Sequence, residues 1–167
     1  MTDYKDYTIK ARVIDIETIE RLLIQMNARF VGLDKQIDYY FETENGKLKY
    51  RQGTIENLIT HYKREFRDGI ERTTVYRYDK NPSPDQIAIL KADKKQIGMT
   101  EKERKIYWLD NVKIHLDRLP NGKCFIEIEA IDRENNFTDE ELKRQCMEIK
   151  SKLLIPDKYM MRTGYME

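Results

Sequence analysis

Segments in which polar and apolar residues alternate are the feature that most constrains the fold of this 167-residue chain. These segments are rich in β-branched and aromatic residues, and turn signals such as Asn45-Gly46 and Asn121-Gly122 separate neighbouring ones. The eight segments span Tyr4–Val13, Asp34–Glu42, Lys47–Gln52, Asn57–Glu65, Glu71–Tyr78, Gln96–Trp108, Val112–Arg118 and Lys123–Ile131. Strands joined mainly by tight turns predict an antiparallel, meander-like sheet.

Three other segments have helical periodicity together with helix start signals. The first runs from Asp15 to about Ala28. The other two open at Ser83 and Thr138, each followed three residues later by the Gln or Glu that completes a capping box. A short last helix is predicted after Pro156. We therefore expect an antiparallel sheet with helices packed on it.

Composition excludes several classes of protein. Charged residues make up 37% of the chain, and no apolar run approaches the ~20 residues of a membrane-spanning helix. The N-terminus has no secretory h-region, and Cys124 and Cys146 lack the spacing of metal ligands. A net charge of +1 argues against a general nucleic-acid coat. The sequence thus predicts a single domain over residues 1–167, located in the cytoplasm, without a membrane or nucleic-acid partner.

Charges are distributed unevenly on the predicted strands. Because side chains two residues apart share a face of a strand, Lys49 and Arg51 point to the same side. Cations from four strands segregate in this way from the carboxylates of Glu127 and Glu129; they are Lys10, Arg12, Lys49, Arg51, Lys63, Lys102 and Arg104. In one interpretation, the polar face of a one-sided sheet meets water and forms cross-strand salt bridges. In the other, the cations and carboxylates form a site for a polyphosphate and a divalent metal.

A series of motifs follows the order of the predicted strands. It comprises Asp6-Tyr-Thr-Ile-Lys10, Gln36-Ile-Asp-Tyr-Tyr-Phe41, Gly46-Lys-Leu-Lys-Tyr-Arg51, Leu58-Ile-Thr-His-Tyr-Lys-Arg64, Arg72-Thr-Thr-Val-Tyr76, Thr100-Glu-Lys-Glu-Arg-Lys-Ile-Tyr107, Ile114-His-Leu-Asp117, Phe125-Ile-Glu-Ile-Glu129 and Arg162-Thr-Gly-Tyr165. The ordered set resembles the CYTH domain of triphosphate tunnel enzymes, which include class IV adenylyl cyclases and thiamine triphosphatases. The class IV adenylyl cyclase branch is the one that it resembles most.

The resemblance implies an α+β fold, a closed eight-stranded antiparallel β tunnel barrel with flanking helices. It also implies that a triphosphate is bound by Lys10, Arg12, Lys49, Arg51, Lys63, Arg72, Lys102 and Arg104. A metal, Mg²⁺ or Mn²⁺, would be held by Glu127, Glu129, Asp117 and Asp6. The implied substrate is ATP, thiamine triphosphate or inorganic tripolyphosphate, and the chain could form a homodimer.

The sequence leaves the chemistry open at several positions. Thr8 stands where the family motif has a glutamate, and a lost carboxylate weakens a metal site that is tuned by ligand charge. The chain is therefore either a metal-dependent cyclase-like enzyme or triphosphatase, or a non-catalytic module that binds nucleotides or polyphosphate. Arg64 fits a phosphate ligand and a salt bridge at the strand rim equally well. We expect a structural role for His115, and we expect Asp38 to orient a neighbouring cation.

Overall fold

The computed structural model describes residues 4–67 and 69–162. Its strands are β1 (Tyr4–Val13), β2 (Arg29–Phe41), β3 (Lys47–Gly53), β4 (Leu58–Arg67), β5 (Ile70–Lys80), β6 (Gln96–Leu109), β7 (Val112–Arg118), β8 (Cys124–Asp132) and β9 (Met160–Met161). Its helices are α1 (Ile16–Gln25), α2 (Pro84–Asp93) and α3 (Asp139–Lys152), and a 3-10 turn spans Asp157–Tyr159.

The eight long strands form a closed antiparallel ring. Neighbouring strands follow the order β5-β4-β3-β2-β6-β7-β8-β1, and β1 also pairs with β5, which closes the barrel. The pairing of β1 with β5 covers Tyr4 to Thr8, and β9 then pairs with Lys10 and Ala11 of β1. The predicted fold, a closed eight-stranded antiparallel barrel with helices outside, is confirmed. The short strand β9 was not expected from the sequence.

The apolar faces of the strands point outward and are covered by helices. One core cluster joins Leu23 of α1 and Leu142 of α3 to Ile128 of β8, and all three side chains are fully buried. A second cluster joins Leu90 of α2 to Ile59 of β4 and to neighbouring strands. Because side chains alternate along a strand, the polar faces opposite these clusters line the inside of the barrel.

Some predicted element boundaries differ from the structure. β2 begins at Arg29 rather than at Asp34, so it is longer than its alternating pattern indicates. α1 ends at Gln25, because Asn27 adopts the left-handed conformation, with φ at 60°, that commonly follows a helix. The short helix predicted after Pro156 is a 3-10 helix, Asp157–Tyr159. The last motif extends into residues 163–165, which lie outside the described part of the chain. No helix within residues 4–67 and 69–162 is long and apolar enough to cross a membrane.

The capping box of α3 gives a first testable prediction. Thr138 Oγ1 accepts a hydrogen bond from the backbone N–H of Glu141 at 3.1 Å, and the Glu141 carboxylate accepts one from the Thr138 N–H at 3.1 Å. Thr138→Ala should lower the free energy of unfolding by about 1 kcal/mol, because an orphan N–H at the helix start loses its partner. Ser151→Ala replaces an exposed side chain of the same helix for which no capping hydrogen bond is described, and it should stay within about 0.5 kcal/mol of the wild type in urea unfolding. Equal effects of the two substitutions would contradict the capping role.

Candidate functional site

The interior of the barrel is a polar cavity lined by side chains from all eight long strands. Its walls carry seven lysines and arginines, namely Lys49, Arg51, Arg64, Lys102, Arg104, Lys113 and Arg133, and four carboxylates, namely Asp6, Asp38, Glu127 and Glu129. An excess of one sign of charge inside a low-dielectric wall focuses the electrostatic field. The cavity is therefore suited to a small, highly charged anion.

Five of the predicted phosphate ligands lie inside the barrel and are buried: Lys10, Lys49, Arg51, Lys102 and Arg104. Lys10 faces inward opposite Glu127 in the β1–β8 pairing, and its Nζ lies 4.8 Å from the centre of the Phe125 ring. Burial lowers the pKa of Lys10 to about 8. The strand alternation read from the sequence thus places these side chains correctly.

Three other predicted phosphate ligands lie away from the cavity lining, which corrects the expectation for them. Lys63 is exposed on the outer surface, because its neighbour Arg64 takes the inward position of β4. Arg12 is exposed near the end of β1. Arg72 points to the outer face of β5, where its Nε donates to Asp139 of α3 at 3.2 Å. None of these three lines the cavity.

Asp38 is the centre of a buried ion-pair network. Its carboxylate accepts hydrogen bonds from Arg51 Nε at 2.8 Å and from Lys102 Nζ at 2.7 Å, and Lys49 Nζ lies 3.5 Å away. Burial would raise the pKa of Asp38, but Arg51, Lys49 and Lys102 hold it well below its ordinary value. Burial and the charge of Arg51 lower the pKa of both Lys49 and Lys102 to about 7. Asp38 thus orients cations, as expected, and leaves two lysines close to their titration point near neutral pH.

A second network surrounds Arg104. Its Nε and Nη2 donate to the two carboxylate oxygens of Asp117 at 2.7 and 2.8 Å, and Nη2 lies 3.6 Å from Glu127. Ligand atoms of His115, Asp117 and Glu127 lie within 4.8 Å of one another, which is close enough to hold a metal ion. Burial lowers the pKa of His115, which favours the neutral imidazole. The guanidinium of Arg104 already balances this acidic cluster, so Asp117 is mainly an arginine partner here.

Asp6 and Glu129 form the carboxylate pair best suited to a divalent metal. Both line the cavity from adjacent strands, and Thr8 between them donates to Asp6 at 3.0 Å. Burial and the negative charge of Glu129 raise the pKa of Asp6 to about 8. A divalent cation would remove this repulsion, and carboxylate oxygens are the ligands that Mg²⁺ and Mn²⁺ prefer. The Asp6 and Glu129 carboxylates therefore fit such an ion, whereas Glu127 belongs to the cluster with His115 and Asp117.

Sequence reasoning missed three charged residues of the interior. Lys113 lies on the polar face of β7, and its alternation with Val112 and Ile114 was the available signal. Arg133 follows β8 directly and lies over the rings of Tyr4 and Tyr78, at 4.9 and 4.7 Å from their centres. Glu56 reaches the interior from the loop after β3, and no periodic pattern marks it.

The site is thus the interior of a closed antiparallel barrel in which cations lie beside carboxylates. The chain belongs to the CYTH domain family, whose family model matches residues 5–165. A comparison with curated protein sequences found no match.

Solved structures with the same fold include proteins from archaea, bacteria and plants. The PH1012 protein of Pyrococcus horikoshii shares 25% identity at a TM-score of 0.78, with 96% of each chain covered. A candidate adenylate cyclase from Vibrio parahaemolyticus shares 13% identity at a TM-score of 0.76, covering 99% of this chain and 97% of its own. A candidate adenylyl cyclase from Hippeastrum, described as having a dominant triphosphatase activity, shares 14% identity at a TM-score of 0.62, covering 97% and 92%.

Proposed function

We propose that this chain binds a triphosphate inside the barrel and cleaves a phosphoanhydride bond with the help of a divalent metal. The observation that carries the proposal is the single cavity in which seven cations and the pair Asp6 and Glu129 face one another. Phosphoryl transfer needs little covalent chemistry from the protein, and it depends mainly on positioning and on stabilising charge at the phosphoryl oxygens. These groups support hydrolysis, the form of cleavage in which water is the nucleophile.

Arg64 is the cation best placed to bind phosphate. Its Nε donates to Thr73 at 3.2 Å and its guanidinium lies 4.9 Å from the centre of the Tyr62 ring. Within the described residues it forms no ion pair with a carboxylate, whereas Arg104 is held by Asp117. A positioned guanidinium with unused donors can form bidentate hydrogen bonds to phosphate oxygens. Binding a phosphate therefore costs Arg64 less free energy than it costs a cation that must first break its ion pair with a carboxylate.

The metal has a defined place in the proposal. Mg²⁺ or Mn²⁺ held by Asp6 and Glu129 would act as a Lewis acid on a phosphoryl oxygen. The chain's own residues would bind the phosphates through Arg64, Lys49 and Lys102 and keep them in an enclosed site. The substrate class would be an organic or inorganic triphosphate, such as ATP, thiamine triphosphate or tripolyphosphate.

A second candidate function is a non-catalytic module that binds nucleotides or polyphosphate. It is favoured by two observations at the metal site. Thr8 offers a neutral hydroxyl, which already donates to Asp6, where the family motif has a carboxylate. Asp117 is engaged on both oxygens by Arg104. Both features reduce the charge available to a metal, and with it the expected metal affinity.

Product analysis separates these functions. The protein is incubated with ATP, thiamine triphosphate or tripolyphosphate, each with Mg²⁺, Mn²⁺ or EDTA, and phosphate, pyrophosphate and cyclic AMP are measured. Metal-dependent phosphate release supports the proposed hydrolysis, whereas cyclic AMP with pyrophosphate would identify a cyclase. Tight binding of tripolyphosphate without turnover would identify the binding module. The absence of both binding and turnover would refute the proposed function.

Triphosphate affinity should depend on pH through Lys49 and Lys102. In the empty protein, their pKa of about 7 means that they lose protons as pH rises above neutrality. A bound triphosphate favours their charged forms, so binding should take up protons, and affinity at pH 9 should be at least about tenfold weaker than at pH 7. Calorimetry in EDTA, in buffers that differ in ionisation enthalpy, measures both effects. An affinity that is constant between pH 7 and pH 9 would contradict the assignment of these lysines.

The same pKa shifts set the sign of their effect on stability. The pKa of each lysine lies at about 7 when folded, against an ordinary value of 10.5, so between these limits the unfolded state binds more protons. Their contribution to the free energy of unfolding of the empty protein therefore rises with pH across this window.

A further inference from the structure

The loop between β3 and β4, residues 54–57, is held against β2 by hydrogen bonds. Asp34, fully buried on β2, accepts hydrogen bonds from the backbone N–H groups of Ile55 and Glu56 at 2.8 and 2.9 Å. Gly53 precedes the loop, and a Cβ there would lie 2.4 Å from the Glu56 carbonyl oxygen and 2.7 Å from the Asp34 carboxylate. These hydrogen bonds hold the loop in one conformation. The close packing leaves no space for a side chain at position 53.

This conformation directs the Glu56 carboxylate towards the cations of the barrel. One of its oxygens accepts hydrogen bonds from Gln36 Nε2 at 3.1 Å and from Arg51 Nη1 at 3.3 Å. The other oxygen accepts from Lys113 Nζ at 2.5 Å. Burial would raise the pKa of Glu56, but Lys113 and Arg51 hold it below its ordinary value. The carboxylate is thus a fixed negative charge held by two cations that line the cavity.

The surroundings of this carboxylate resemble those of a terminal phosphate. Two of its contacts are charge-assisted hydrogen bonds from an arginine and a lysine, the side chains that most often bind phosphate oxygens. Arg51 also connects Glu56 to the buried ion-pair network around Asp38, because its Nε and Nη2 donate to Asp38 at 2.8 and 3.0 Å. Through Arg51 and Asp38, Glu56 is therefore connected to Lys102 and Lys49.

We propose that Glu56 occupies a phosphate subsite formed by Arg51 and Lys113 and so limits the length of the polyphosphate chain that the barrel accepts. This inference rests on the proposed binding of a triphosphate. A fourth phosphate would bring negative charge beside the Glu56 carboxylate in a low-dielectric site, where repulsion is weakly screened. Without this carboxylate, the same two cations become free to bind the additional phosphate.

The test compares chain-length preference rather than affinity alone. Dissociation constants for tripolyphosphate and tetrapolyphosphate are measured by calorimetry in EDTA for the wild type, for Glu56→Gln and for the control Glu103→Gln. Glu103 is exposed on the outer face of β6, so its substitution removes the same charge outside the barrel. Glu56→Gln should shift the ratio of the two constants towards tetrapolyphosphate by at least about tenfold, the scale of one charge-assisted contact. Glu103→Gln should leave the ratio unchanged.

Thermal unfolding establishes that each variant is folded. If Glu56→Gln does not fold, Glu56→Ala, which also removes the charge, should shift the ratio in the same direction. An unchanged ratio overturns the inference, and so does equal tightening of both ligands, because the carboxylate would then compete with chains of any length. A wild type that binds no tripolyphosphate refutes this inference and the proposed function together. Binding with an unchanged ratio refutes this inference alone.

Discussion

Replacing Arg64 by alanine should weaken tripolyphosphate binding by about ten- to hundredfold, measured by calorimetry in EDTA. The guanidinium lines the cavity and forms no ion pair within the described residues, so its donors are available to a phosphate. Losing it removes charge-assisted hydrogen bonds to the ligand, and it also removes a positive charge that acts on the Asp6 and Glu127 carboxylates. The free energy of unfolding is measured alongside, because Arg64 also interacts with the charges of Asp6, Glu127 and Glu129 in the empty cavity.

Lys63 is the matched control for this prediction. It is the preceding residue on the same strand, it carries the same charge, and its side chain is exposed on the outer surface. Lys63→Ala should leave tripolyphosphate affinity within about twofold of the wild type, since exposed charges are screened by salt. A loss of affinity in Lys63→Ala that equals the loss in Arg64→Ala would mean that phosphate binds outside the barrel.

Glu129→Gln should lower metal-dependent turnover by about 100-fold or more at limiting Mg²⁺ or Mn²⁺. Even partners one shell away from a metal change affinity or activity by about 10- to 100-fold, and a direct carboxylate ligand should matter at least as much. Glu129 is also a source of the repulsion that raises the pKa of Asp6 to about 8. Metal-free binding of tripolyphosphate should therefore be retained or strengthened in this variant, because a negative charge has left the cavity.

Metal titrations of phosphate release test this second prediction. The control is Glu148→Gln, which removes the same charge from an exposed position on α3, outside the barrel. It should have the metal dependence of the wild type. If Glu129→Gln hydrolyses tripolyphosphate at the wild-type rate across the metal titration, Glu129 is not a metal ligand and the carboxylate pair has another role.

Much of the barrel interior could be predicted because strand alternation is a local property. Lys49 and Arg51 flank Tyr50, and Lys102 and Arg104 flank Glu103. Because residues two apart share a face of a strand, the two cations of each pair point to the same side. The apolar residues on the opposite face of each strand then determine which side packs against the helices. The location of these cations inside the barrel required no knowledge of strand order.

Other interior residues depend on features that alternation does not encode. In β4 the adjacent cations Lys63 and Arg64 must face opposite sides, and the flanking residues are too mixed to show which one points inward. Arg72 points outward to Asp139, which lies 67 positions away in the chain, so only the folded arrangement shows this contact. Glu56 is placed by hydrogen bonds from its loop backbone to Asp34. Contacts between distant segments therefore account for what the sequence did not reveal.

A structure of the protein with a non-hydrolysable triphosphate bound tests the central claim most directly. The proposed function predicts phosphates inside the barrel, within hydrogen-bond distance of Arg64 and Lys102. Glu56 should still contact Lys113 beyond the last phosphate. A triphosphate bound on the outer surface beside Lys63 or Arg72, with an empty barrel, would contradict the claim.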